Sequence, residues 1–389
     1  MSFRNLYLSA AVSQFGSQIS YVALPLLAVT ALDAGAAELG LLSSLATITV
    51  LVTGLPAGAW IDRVRKRPVM VTADLARAVL LGSLPLMWWL GGLTIWQLYL
   101  VAMLTGVGTL FFDVASHSVL PHIVGRDGLT KANSLLVGTS AGMDIAGRSF
   151  AGVLVGLAGP PLAIVIDAVS YLVSALFLRR LPSPAPAPGR ERLGPQVAEG
   201  VRFVVHHPVL RPIALQGAMV NVGFPLMSVL LPMVIRPAWL LGLFLAVGGA
   251  GVLAGSSLAH VMGRWLGNAR AVWLVSLTTT PAAFLVPFAE QAIWVAAAGW
   301  FVLTFRTGMN NVMLVSFRQR VTPDELQGRM NATMRLILMG AVGIGGLLAG
   351  VIGEAFGVTA ALWAGAAVMA LSWLPLARSE FRQSPVLTS

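Results

Sequence analysis

The sequence predicts an all-α integral membrane protein with twelve transmembrane helices in two six-helix halves. Its 389 residues are 57% hydrophobic and 10% charged, with a mean hydropathy of +0.83. Soluble domains carry about a quarter charged residues, which excludes a water-soluble globule. Apolar runs close to the ~20 residues that cross a bilayer recur along the whole chain. We expect these spans near 6–32, 39–61, 69–90, 94–116, 131–157, 161–179, 209–235, 238–262, 270–288, 292–316, 329–353 and 357–377.

The basic residues predict the orientation of the spans. Lys and Arg in short loops stay on the cytoplasmic side, and nearly all of them follow even-numbered spans or lie in the two tails. We therefore expect both termini in the cytoplasm. A net charge of +10 would suggest nucleic acid in a soluble protein. Between apolar spans it matches the anionic membrane surface, so we expect lipid contacts and no nucleic acid.

A proline-rich connection and an internal repeat divide the chain. The stretch from Leu181 reads LPSPAPAPGRERLGP and predicts a solvated, semi-rigid linker. We expect an amphipathic surface helix over 199–207. Gly58 recurs as Gly255, 197 positions later, and Asp127-Gly128-Leu129 recurs as Asp324-Glu325-Leu326 at the same offset. Such an offset indicates duplicated halves, an arrangement typical of transporters. The expected N-terminal half, cytoplasmic linker and C-terminal half are 1–180, 181–208 and 209–389.

A basic loop after the second span predicts a cytoplasmic gate. It reads GLPAGAWIDRVRKRP, with Gly58 and Asp62 one helical turn apart. Glycine lets another helix approach, and a carboxylate attracts the positive N-terminal end of a helix. The alternative is a charge cluster that only holds the topology. The predicted gate residues, which include ionisable groups near other cytoplasmic span ends, are Gly58, Asp62, Arg63, Lys66, Arg67, Asp74, Arg77, Asp113 and Arg335.

The pattern G-x-x-x-D-R-x-x-K-R, the repeated halves and the central linker resemble the major facilitator superfamily. SYVALPLLAV, TADLARAVLL and AIVIDAVSYLVSAL are similar to stretches of its bacterial drug and siderophore exporters, as is QRVTPDELQGRMNATMRLI. The resemblance covers nearly the whole chain. It implies a secondary transporter of the bacterial cytoplasmic membrane that exports amphipathic small molecules by alternating access, with protons as the coupling ion. We expect a monomer. Arg65 and Arg148 depart from the family's pattern, where a glycine and a proline are usual.

Ionisable side chains inside spans are costly and are therefore candidates for function. Asp144 and Arg148 lie four positions apart on the fifth predicted span. They form either a self-satisfied ion pair or a site for substrate and protons. We expect proton coupling to use Asp144 rather than Asp167, because burial and the neighbouring arginine act in opposite directions on its protonation.

Polar residues at matching depths predict a substrate cavity. Three of them form a stripe on the first span, and Arg306 lies midway along the tenth span without a nearby acid in sequence. An unneutralised central arginine would favour anionic or zwitterionic amphiphiles. Interhelical hydrogen bonding is the competing use of such residues. The predicted cavity residues are Gln14, Gln18, Tyr21, Asn221, Arg306 and Asn310.

Enzyme signatures are absent from the sequence. There is no cysteine, no clustered histidine for a metal, and no G-x-x-x-x-G-K-[ST] loop for ATP. We therefore expect no cofactor, no metal and no catalytic residues, and transport driven by a gradient. The alternatives are a uniporter or importer of a small metabolite, and a non-transporting membrane sensor.

Overall fold

The computed structural model describes residues 2–181, 193–266 and 268–377. All regular structure in these ranges is helical. The helices are α1 Ser2–Leu32, α2 Ala36–Asp62, α3 Lys66–Trp89, α4 Ile95–Leu178, α5 Leu193–His206, α6 Leu210–Ser228, α7 Leu231–Val234, α8 Ala238–Leu266, α9 Asn268–Thr278, α10 Ile293–Val321, α11 Asp324–Phe356 and α12 Val358–Leu371. Two 3-10 helices cover Thr280–Phe288 and Leu374–Ala377.

Helix α4 is a series of helical segments joined at two glycines. Gly125 and Gly159 have φ of 70° and 80°, a region in which a side chain is strained. Pro160 and Pro161 follow the second break directly. The helical direction changes at these points, so α4 contains the stretches in which we expect the fourth, fifth and sixth spans.

Ten helical stretches of the described chain are long and apolar enough to cross a membrane. The protein is therefore a multi-pass membrane protein. Of the predicted span 131–157, only 150–157 lies within the ten, and the predicted span 292–316 lies outside them, although both are helical. These two carry Asp144 and Arg148 in one case and Arg306 and Asn310 in the other, which lowers their mean hydropathy.

The chain forms two compact units. The first unit contains α1, α3, α4 and most of α2. The second unit contains α5 to α7, α9 to α12 and most of α8. Leu39–Ser44 belongs to the second unit and Arg236–Leu243 to the first.

Each unit has its own buried apolar core. Leu6, Met70 and Leu178 belong to the core of the first unit, where α1, α3 and α4 meet. Ala271 and Met309 lie in the core of the second unit, between α9 and α10. Lipid is as apolar as these side chains, so helix association depends on close packing and on buried polar contacts. The buried polar side chains therefore show how each unit is held together.

Helix α5 packs against α6 and α11 of the second unit, and it includes most of the stretch 199–207 in which we expect an amphipathic helix; its position at the cytoplasmic surface stays a prediction. Val204 packs with Leu210, Met330 and Met334. The imidazole of His207 accepts the backbone N–H groups of Val209 and Leu210 at 3.2 and 3.3 Å. A neutral Nδ1 thus satisfies donors at the start of α6 that have no partner within the helix.

Candidate functional site

A polar cluster joins α1 to the middle segment of α4 in the first unit. The side-chain amides of Gln14 and Gln18 both donate to Oδ1 of Asp144, at 2.6 and 2.7 Å. The Oε1 of Gln18 accepts from Nε of Arg148 at 2.7 Å. The guanidinium of Arg148 also lies over the ring of Tyr21, 4.6 Å from its centre. We call these five residues the glutamine-bridged site.

Asp144 and Arg148 form no direct ion pair, although both side chains are described. Gln18 lies between them, with its amide nitrogen on the acid and its amide oxygen on the base. Hydrogen bonds that involve a charged group are about twice as strong as neutral ones. The direct ion pair, one of the two alternatives for these residues, is therefore not formed, and a ligand with charged or polar groups can compete for the bridge that takes its place. Tyr21 is 52% exposed, so about half of its surface is not covered by protein.

Asp167, on the last segment of α4, lies apart from this site and contacts a different face of α1. Its carboxyl group is fully buried and accepts from the hydroxyl groups of Ser20 and Ser170. A Cβ at Gly16 would collide with Asp167 and Ser170. Glycine at this position therefore lets α1 approach the last segment of α4 closely enough for the Ser20 contact.

Asp74 and Arg77 form a buried ion pair in the core of the first unit. Ser174 donates to the second oxygen of Asp74. Arg77 donates to Thr109 at 3.2 Å, and its guanidinium lies 4.2 Å from the centre of the Tyr171 ring. These contacts bring α3 together with two segments of α4, one turn of helix away from Asp167.

The candidates of the second unit are held by neutral groups. Arg306 is 1% exposed and donates to the hydroxyl of Ser372 and, at 3.4 Å, to the carbonyl of Met369. The amide of Asn310 donates to Ser276 at 3.4 Å, and among the described atoms its buried Oδ1 has no hydrogen-bond partner. Asn221 donates to a carbonyl of its own helix at 2.8 Å. A role for these residues in substrate binding stays a prediction.

The predicted gate is described in part. The surroundings of Gly58 and the side chain of Asp62 lie outside the described part of the chain, so the contacts expected of these two residues stay a prediction. Of the basic run, Arg63 is exposed, Arg67 is half-buried and Lys66 is 5% exposed. The remaining members are spread out: Asp113 is half-buried on α4, Arg335 is exposed on α11, and Asp74 and Arg77 lie in the core ion pair described above.

Sequence reasoning missed the hydroxyl groups that line α1. Ser17 bonds to the hydroxyl of Tyr171 and Ser9 to that of Ser174, both at 2.7 Å. Together with Ser20 they place three serines against the last segment of α4. Their spacing of eight and three positions on one helical face was the available signal, because serines at such intervals in an apolar span mark a packed polar interface.

Comparison with known proteins places the chain in a family. The model of the Major Facilitator Superfamily matches residues 6–337. The multidrug efflux pump Tap of Mycolicibacterium fortuitum is 29% identical over 366 residues, which cover 89% of this chain and 87% of that protein. The enterobactin exporter EntS of Salmonella typhi is 25% identical over 251 residues, 60% of this chain and 57% of that protein.

Solved structures share the fold. A bacterial homologue of the iron transporter ferroportin in an inward-facing state has a TM-score of 0.75 at 16% identity, covering 97% of this chain and 98% of that chain. The nucleoside transporter NupG has a TM-score of 0.73 at 13% identity, covering 97% and 99%. The matches confirm the resemblance found in the sequence. The chain belongs to the major facilitator superfamily and is a membrane transporter rather than an enzyme.

Proposed function

We propose that the protein exports amphipathic small molecules of the drug or siderophore type from the cytoplasm, in exchange for protons. Two six-helix halves, 1–180 and 209–389, alternate access to the two sides of the bacterial cytoplasmic membrane. Both termini lie in the cytoplasm, twelve helices cross the bilayer, and one chain is the transporting unit. The efflux functions in the names of the similar proteins support this direction of transport.

The observation that carries the proposal is the glutamine-bridged site. A carboxylate and a guanidinium inside a membrane segment are held apart by one amide, beside an exposed aromatic ring. A zwitterionic or anionic amphiphile replaces Gln18 at Arg148 and stacks its apolar part on Tyr21. Gln18 is then free to turn towards Asp144 alone.

Proton exchange at this site follows from competition for Asp144. In the structure, Gln14 and Gln18 donate to Oδ1 of Asp144. A substrate bound at Arg148 leaves the amide of Gln18 to Asp144 alone. Donors to a carboxylate favour its ionised form, so a protonated Asp144 releases its proton to the cytoplasm when substrate binds there. Once the substrate has left on the outer side, Gln18 returns to Arg148 and Asp144 takes up a proton from outside, which moves inward with the empty site. Asp144 is thus the proposed exchange acid, with Arg148 as its partner.

The test is substrate-dependent proton flux in proteoliposomes, across a panel of lipophilic cations, macrolides and siderophores. The proposal expects export against a gradient with proton movement in the opposite direction. Asp144→Asn should keep substrate binding and lose uphill export. Flux that is indifferent to the proton gradient would indicate a uniporter. Accumulation on the cytoplasmic side would indicate an importer, and no flux for any compound would favour a sensor.

A further inference from the structure

We propose that Asp74 and Asp167 share a single proton in the resting protein, and that Asp167 holds it. This adds a second protonation site to the proposed exporter. It concerns the resting protein, so it does not require that the export itself be driven by protons.

The charges of the buried groups carry the inference. Asp74 and Asp167 are both 0% exposed, and Arg77 is 2% exposed. The guanidinium pairs with Asp74, whereas no ion pair of the described chain involves Asp167. The interior of the unit thus holds two fully buried carboxyl groups and one arginine at that depth, because Lys66, which is also buried, lies at the start of α3, eight positions before Asp74. An isolated ionised carboxylate in an apolar interior is costly enough that the group takes up a proton instead.

The hydrogen bonds decide which acid is protonated. Asp74 has Arg77 on one oxygen and the hydroxyl of Ser174 on the other, and both donate to it. Two donors, one of them charged, stabilise the ionised form of Asp74. Asp167 is surrounded by the hydroxyls of Ser20 and Ser170, which can donate or accept. A protonated Asp167 donates its O–H to one of them and accepts from the other, so all three groups remain bonded.

The other charged and titratable groups around the pair do not supply a second base. Tyr171, one turn from Asp167, bonds through its hydroxyl to Ser17. Asp113, half-buried on α4, acts electrostatically on Arg77. It is a further acid, so it adds negative charge and does not neutralise Asp167. On α1, the groups that contact Asp167 are neutral.

Helix α1 connects this proton to the substrate site. Gln14, Gln18 and Tyr21 lie on the face directed at Asp144 and Arg148, and Ser20 lies on the face directed at Asp167. Gly16 leaves no free space between α1 and Asp167. A ligand that shifts α1 therefore breaks the Ser20 contact and changes the cost of keeping the proton on Asp167.

Infrared spectroscopy of the protein in lipid vesicles at neutral pH tests the inference, because the C=O stretch of a protonated carboxylic acid is separate from that of a carboxylate. Wild-type protein should show one such buried group that Asp167→Asn removes. Asp74→Asn should also remove it, since Arg77 then lacks its carboxylate and Asp167 ionises to pair with it. Asp144→Asn, the matched control, should keep the band.

Two results would overturn the inference: a band that survives Asp167→Asn, or a band that survives Asp74→Asn while Asp167→Asn removes it. The first places the proton elsewhere, with Asp113→Asn as the variant that locates it. The second means that the two acids do not share it. Each variant is compared at equal recovery of monodisperse protein, and Asp167→Ser replaces a misfolded Asp167→Asn. Proton flux in proteoliposomes is measured separately, so uncoupled export with the expected bands refutes the proposed function and leaves this site standing.

Discussion

Replacing Gln18 by methionine removes both hydrogen bonds of the bridge while keeping an unbranched side chain of similar length. Gln18 is 9% exposed and bonds to Asp144 and Arg148 at 2.7 Å each. A hydrogen bond to a charged group contributes about 1.5–3 kcal/mol. The acid and the base are only half-buried, so we use the lower end of this range. Gln18→Met should therefore lower the free energy of unfolding by about 3 kcal/mol.

The matched control is Gln14→Met, which removes one bond to the same carboxylate oxygen. Its expected cost is about 1.5 kcal/mol. The assay is reversible denaturant unfolding of the detergent-solubilised protein, followed by tryptophan fluorescence. Equal losses for the two variants would refute the bridge, because a direct Asp144–Arg148 pair would not depend on Gln18. A smaller loss for Gln18→Met than for the control would refute it as well.

Three further predictions follow from packing, protonation and charge. Gly16→Ala should destabilise the protein by about 1–3 kcal/mol through overpacking, whereas Gly142→Ala, where no atom lies within 4 Å of the new Cβ, should not; thermal unfolding compares the two. Burial lowers the pKa of His207, so the unfolded state binds a proton more readily and the unfolding temperature should fall as the pH drops through the ordinary histidine range; a fall that persists in His207→Asn but not in His206→Asn would contradict this. Arg306→Gln should weaken binding of anionic substrates and spare cationic ones in a ligand-binding assay, and an equal effect on both would show that the arginine is structural.

The class of protein and the positions of most helices were predictable from the sequence. A membrane span satisfies its backbone hydrogen bonds within itself and needs an apolar surface, so its signal is local. The same holds for α5, whose amphipathic pattern follows the proline-rich linker. The family motif was also readable, because it lies in one short loop. The apolar signal was weakest for 292–316, because Arg306 and Asn310 lower its mean hydropathy.

The partners of the polar residues were decided by the tertiary structure. Asp144 and Arg148 have the spacing of a helical ion pair, yet Gln18, more than a hundred positions earlier, lies between them. Asp167 likewise depends on Ser20. Helical periodicity shows which residues share a face of α1. Which segment of α4 packs against each face of α1 is not visible in that periodicity. It depends on close contacts such as the one between Gly16 and Asp167, which form only when helices distant in sequence come together.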